Sequence, residues 1–298
     1  MTMNDNNTTY KPNDSLNRVF IIGNGFDIGL GLKTSYKDYY ADSSTWPKIV
    51  PNRYDSLMRY LMDAKSNIRT WFDLEKAMSN YVHRNGNSIA GKDLLSDKNA
   101  YDAIKKGLIE YLKKQEDSFS GTMCPPLERL ISFYNQEGNN RVYSFNYTDP
   151  NKFLKKCGVD KHISITHVHG SLANNNIILG VGDSNEILSD YGFMYKMADT
   201  NFRGCNLLWD LDTADEVFFY GHSLGDNDHD YFKSFFQEST EIKPTHSNRK
   251  KKIVFYTADE QSEIDLKMQL RELTDRKVQK LIQVCRVEVI HCCKDLTK

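Results

Sequence analysis

Short apolar runs recur along the chain and are separated by stretches with helical periodicity. RVFII (18–22), RVYSF (141–145), HISITHV (162–168), NIILGV (176–181), EVFFY (216–220), KIVFY (252–256) and VCRVEVI (284–290) are rich in Val, Ile, Phe and Tyr. Gly, Asn, Asp or Pro bounds them, which marks them as strands. Several are apolar at successive positions, as in a sheet buried on both faces. Strands alternating with helices predict an α/β fold: a Rossmann-like, mostly parallel sheet with helices on both faces.

Between the first and second strands the pattern changes, and no convincing strand appears. In NAYDAIKKGLIEYLKK, Tyr101, Ile104, Leu108 and Leu112 share one helical face, and in WFDLEKAMSNYVHR (71–84), Trp71, Leu74, Met78 and Tyr81 do the same. Residues 40–139 therefore read as a helical insertion, interrupted by a polar loop at 86–99. Asp226, Asn227 and Asp228 are good caps for a helix carrying Phe232, Phe235 and Phe236. A helix at 259–272 and a last helix and strand complete the chain. Residues 1–16 are polar and read as a disordered lead-in, and 17–298 as a single domain.

The ends of the predicted strands collect the residues that could carry chemistry. After the first strand come Gly23, Asn24, Gly25 and Asp27, a glycine turn suited to the phosphates of a nucleotide at a helix N-terminus. A hairpin competes with that reading, because Asn-Gly favours a tight turn and Phe26, Ile28, Leu30 and Leu32 alternate. Asp27 is either a ribose acceptor or a helix cap. After the second strand, Asn146 can orient a ribose hydroxyl or a water, and Asp149 either joins the nucleotide set or caps the next helix. His167 and His169 fall on one face of the next strand, and His169 is placed as a general base. No metal is expected, since neither histidine has an evident acidic or cysteine partner. Gly221, His222 and Ser223 follow EVFFY and can contact phosphate or ribose. GHSLG also matches the serine-hydrolase elbow, with His229, His246 and His291 as candidate downstream bases.

Composition adds mainly exclusions. The 298 residues are 39% hydrophobic and 27% charged with a formal net charge of −1, so no nucleic-acid or anionic-membrane signature stands out. No apolar run approaches the roughly 20 residues that a membrane helix needs. Six cysteines without C-x-x-C spacing suggest a reducing compartment, and hence the cytoplasm.

The segments IIGNGFDIGLGLKTSY, WFDLE, SFNYTD, HVHGSL, ILGVGD and YGHSLGDNDHDYF, in this order over 21–232, resemble the AbiH-like abortive infection proteins of bacteria. The resemblance implies phage defence, in which the infected cell is disabled before phage spread. A more distant similarity is to the sirtuin fold, whose members bind NAD. Gly23, Asn24, Gly25 and Asp27 resemble its first glycine loop, and Thr34, Ser35 and Tyr36 the segment that closes over the cofactor. Asn146 resembles the asparagine that positions the nicotinamide ribose. His169-Gly170 resembles the catalytic pair, and Gly221, His222 and Ser223 the turn at the adenosine end. No four-cysteine zinc module follows His169, so the resemblance implies NAD cleavage rather than lysine deacylation. On this reading the chain hydrolyses NAD to nicotinamide and ADP-ribose: Asn146 and His169 act at the ribose, and the amides of Gly23 and Gly25 hold the diphosphate. Such an activity calls for restraint, by a phage-derived trigger, a defence partner protein or assembly into a homo-oligomer. A nucleotide-binding sensor that cleaves nothing, and a serine hydrolase using Ser223, are the alternatives.

Overall fold

The computed structural model describes residues 15–49, 56–63, 71–83, 93–241 and 250–292. Residues 1–14 of the expected lead-in, 86–92 of the expected polar loop, and His246 lie outside these residues. Six strands, β1 (Asn17–Ile22), β2 (Asn139–Ser144), β3 (Ile165–His167), β4 (Glu216–Tyr220), β5 (Lys252–Thr257) and β6 (Arg286–His291), form one sheet in the order β3-β2-β1-β4-β5-β6. Every neighbouring pair is parallel. This is an α/β, Rossmann-like sheet.

Alternation along the strands sends side chains into two cores, which is why their sequences are apolar at successive positions. Val19, Ile21, Val217, Phe219, Ile253 and Phe255 point to the face covered by α8 (Leu207–Thr213), α9 (His229–Glu238), α10 (Glu260–Leu273) and α11 (Val278–Val284). Phe219 stacks on Phe255 with ring centroids 4.9 Å apart. Phe20, Ile22, Val142, Phe218 and Val254 point to the other face, against α1 (Asn24–Gly29), α6 (Pro125–Tyr134) and α7 (Pro150–Lys156).

A third core belongs to the helical region. Here α2 (Tyr36–Ala41), α3 (Leu57–Asp63), α4 (Trp71–Val82) and α5 (Leu94–Ser118) bury Tyr36, Leu61, Met78 and Leu108 together with Ile177, Leu179, Val181 and Met194 from the β3–β4 connection. Asp97 of α5 ties this layer from inside, accepting hydrogen bonds from Tyr81 Oη (2.7 Å), Tyr191 Oη (2.6 Å) and the Leu57 amide (2.8 Å). Among the described residues no helix is long and apolar enough to cross a membrane.

Several local expectations are corrected. Residues 176–181 form no sheet strand. Ile177, Leu179 and Val181 alternate into the helical-layer core, and only a single bridge, Val181 to Tyr195, is made. The third strand is shorter than 162–168, ending at His167. The hairpin does not form, because Asn24 and Gly25 open α1. Asp27 lies inside α1 and caps nothing, and Asp228, which precedes α9, makes no side-chain cap to it. Ser35 caps α2 and Asp149 caps α7, each carboxylate or hydroxyl oxygen accepting a first-turn amide hydrogen.

Candidate functional site

The chain leaves β1 and β4, neighbours in the sheet, toward opposite edges. Ligands of open α/β sheets occupy the crevice at the carboxyl ends of such strands. The two turns are fastened to each other: the Gly23 amide donates to Tyr220 O (3.0 Å) and the Gly25 amide to Gly221 O (2.9 Å). Glycine is required on both sides. A Cβ at Gly25 would lie 2.6 Å from Gly221 Cα, and Gly221 has φ +62°. This overturns one assignment, since the Gly23 and Gly25 amides are already used within the protein and do not hold a diphosphate.

Behind this junction a buried network fixes the loop after β2. Asn146 Nδ2 donates to Gly23 O (3.0 Å) and to Asp27 Oδ1 (2.9 Å), while Thr148 Oγ1 donates to Asp27 Oδ2 (2.8 Å). Burial drives the Asp27 carboxyl up to about 7 despite the hydrogen bonds from Thr148 and Asn146. Both Asn146 amide hydrogens are thus committed, leaving its Oδ1 as the group that can meet a ligand. His167 Nδ1 lies 3.0 Å from Asn146 O and braces the same loop. Thr34 Oγ1 donates to Asn24 Oδ1 (2.6 Å).

Facing this network is a cluster of ionisable side chains, buried except for the half-buried Asp228. His169 follows β3 and is 5% exposed. Its Nε2 has no hydrogen-bond partner and lies 3.5 Å from Asp228 Oδ1, which is buried and likewise unpartnered. His222 Nε2 lies 3.6 Å from Asp228 Oδ2. The Leu224 amide donates to His222 Nδ1 (3.0 Å), which puts the proton of a neutral ring on Nε2, toward Asp228. Lys196 Nζ sits 3.1 Å from Glu75 Oε2 and 3.6 Å from Asp228 Oδ1.

Burial, reinforced by Lys196, pushes His169 down to about 3, and burial likewise lowers His222 to about 4, so both rings are neutral at physiological pH. Burial also raises Glu75 to about 7, against the pull of Lys196. Burial opposes ionisation of Asp228, but the Lys196 ammonium and the two imidazoles hold its carboxylate below the ordinary range. Phe145 packs against both histidine rings, at 5.3 Å from His169 and 4.5 Å from His222, and helps keep the cluster dry.

Asp27, Asn146 and Thr148 line one cavity of about 510 Å³ together with His169, His222, Asp228, Lys196 and Glu75. Of the residues singled out from sequence, Gly23, Asn24, Gly25, Asp27, Thr34, Asn146, His169, Gly221, His222 and Ser223 border it. Ser35, Tyr36 and Asp149 do not: two are helix caps, and Tyr36 is buried in the helical layer. The serine-hydrolase constellation is not assembled among the described residues. Ser223 is exposed, His229 pairs with Gln269 (2.9 Å) and His291 with Glu263 (2.7 Å).

The family model for bacteriophage abortive infection AbiH matches residues 19–248. The chain belongs to the AbiH family. No curated protein and no solved structure matches it.

In this AbiH protein the sequence reading missed Glu75, Lys196 and the role of Asp228. Glu75 carried a signal: it adjoins Leu74 on the buried side of α4, where a carboxylate needs a partner. Lys196 carried none. It is placed by backbone bonds of Val181, whose amide donates to Met194 O (2.8 Å) and whose carbonyl accepts from the Lys196 amide (3.0 Å).

Proposed function

We propose that this abortive infection protein binds NAD in the cavity at the β1–β4 junction and hydrolyses its nicotinamide–ribose bond. The observation that carries the reading is the meeting, in one pocket, of the committed Asn146 carboxamide and a buried, neutral His169 imidazole whose Nε2 has no hydrogen-bond partner. The strand order supports a dinucleotide, because the pocket lies where the order reverses.

The C1′–N bond breaks with its electron pair leaving on the nicotinamide nitrogen, which discharges the pyridinium. A water oxygen bonds C1′ through an oxocarbenium-like state and gives its proton to His169 Nε2, and from there to solvent. A weak base suffices, since water grows acidic as it bonds so strong an electrophile. Asn146 Oδ1 holds the ribose or the attacking water, and Ser223 contacts the diphosphate or the distal ribose. The products are nicotinamide, ADP-ribose and one proton.

In infected cells carrying the protein, NAD measured by mass spectrometry is expected to collapse. His169→Ala and Asn146→Ala each slow the loss about 100-fold or more. Equal NAD loss in cells carrying the His169→Ala variant would overturn the reading.

A further inference from the structure

The NAD-cleaving reading leaves Asp228, Lys196 and Glu75 without a task, although they are the most costly groups in the pocket to bury. Asp228 stands at the start of α9, where an aspartate would ordinarily accept the first-turn amides, yet its carboxylate makes no such bond and turns into the cavity. Its Oδ1 and His169 Nε2 lie 3.5 Å apart, both buried and both without a hydrogen-bond partner. A carboxylate accepts only, and a neutral imidazole can present Nε2 as an acceptor. Asp228 Oδ1 is thus a buried acceptor suited to a sugar hydroxyl, set beside the His169 Nε2 that takes the proton of the attacking water.

Of the groups packed against Asp228, Lys196 and the two imidazoles favour its ionised, accepting form. Lys196, from the short helical turn Lys196–Ala198, faces Oδ1 at 3.6 Å, and His222, after β4, faces Oδ2 at 3.6 Å. His169 comes from the turn after β3, and Tyr231 lies on α9 itself. Glu75 reaches in from α4 and engages the same ammonium at 3.1 Å. Lys196 is therefore shared between two carboxylates and is not free to recruit an anion. A diphosphate at this end of the cavity would meet the Asp228 carboxylate rather than a free ammonium, which favours a sugar here.

We propose that Asp228 is the substrate-contacting carboxylate that receives a hydroxyl of the nicotinamide-side ribose, with Lys196 and Glu75 as positioning residues. This extends the NAD reading but is measured separately from cleavage. Binding of ADP-ribose, which carries that ribose, is compared with binding of ADP, which lacks it, by calorimetry on the full chain. Nicotinamide release from NAD is followed in parallel.

The wild type is expected to prefer ADP-ribose by about tenfold or more, and Asp228→Asn, of unchanged shape, to narrow the preference to about twofold. Lys196→Met is expected to retain the preference near pH 8 and lose it as pH falls toward 5, because the Asp228 carboxyl then protonates at higher pH, while the wild type keeps a preference at pH 5. Lys196→Arg restores the wild-type profile. Circular dichroism and the thermal midpoint confirm that each variant is folded, and Asp228→Ser serves if the asparagine variant is not. A wild type with no preference, or an Asp228→Asn variant that keeps it, overturns the proposal. If the preference is present but nicotinamide is never released, the cleavage reading fails and the carboxylate assignment stands.

Discussion

At the scale of single residues, the pocket is built from groups whose charge states folding has altered, and this makes it visible in stability. Burial raises the Asp27 carboxyl from 3.8 to about 7. A carboxyl raised on folding takes up a proton as the chain folds, so its contribution is fully present below pH ~4, the unfolded value, and is lost as pH rises through about 7. The penalty at pH 8 is on the order of 4 kcal/mol. Glu75 acts in the same direction. His169 and His222 act in the other: lowered on folding, they contribute stability above the unfolded value near 6.5 that is lost as pH falls toward about 3 and 4. The raw pH profile therefore mixes two signs, and a variant isolates one. Denaturant titrations of Asp27→Asn are expected to show higher stability than wild type at pH 8, with the gap closing toward pH 4. A gap independent of pH contradicts the burial argument. Ser223 offers a second residue-scale test. As a ligand contact, Ser223→Ala raises KM for NAD about tenfold or less and leaves kcat unchanged. A loss of kcat by about a thousandfold or more, or labelling of Ser223 by a fluorophosphonate, would return the hydrolase reading.

At the scale of elements, the junction of the turns after β1 and β4 carries the site, and its requirement is steric. A Cβ at Gly25 would lie 2.6 Å from the Gly221 backbone, whereas a Cβ at Gly192 has nothing within 4 Å. Gly25→Ala is expected to cost about 3 kcal/mol or more, and Gly192→Ala to stay within about 0.5 kcal/mol of wild type. Thermal unfolding of the two proteins decides it. The same scale shows which elements were legible. β1, β2, β4 and β5 were read almost at their true bounds, because residues buried on both faces leave a continuous apolar signature. Residues 176–181 carry the same signature for a different reason: Ile177, Leu179 and Val181 fill the helical-layer core without pairing in the sheet. Composition cannot separate those cases, since either burial demands the same side chains. The caps divide in the same way. Asp149 caps as its position suggests, and Asp228 does not, because its carboxylate is drawn toward Lys196 and two imidazoles that come from remote parts of the chain.

At the scale of the whole molecule, the AbiH family places the chain in bacteriophage abortive infection, and the fold shows how separated segments converge on one pocket. Positions at strand ends, Asn146 and His169 among them, were legible because a parallel sheet gathers its carboxyl ends along one edge. Lys196 was not, and the burial of Glu75 was legible but its partner was not, since the two come from the β3–β4 connection and the helical layer, which no short-range pattern relates to the sheet. The helical layer is thus part of the site: α4 supplies the carboxylate that holds Lys196. Incubating the purified protein with NAD, alone and with phage lysate, decides whether the nicotinamide–ribose bond is cleaved. Nicotinamide and ADP-ribose are expected to appear in equal amounts in at least one of the two conditions. No nicotinamide in either, from protein shown to be folded, contradicts the account.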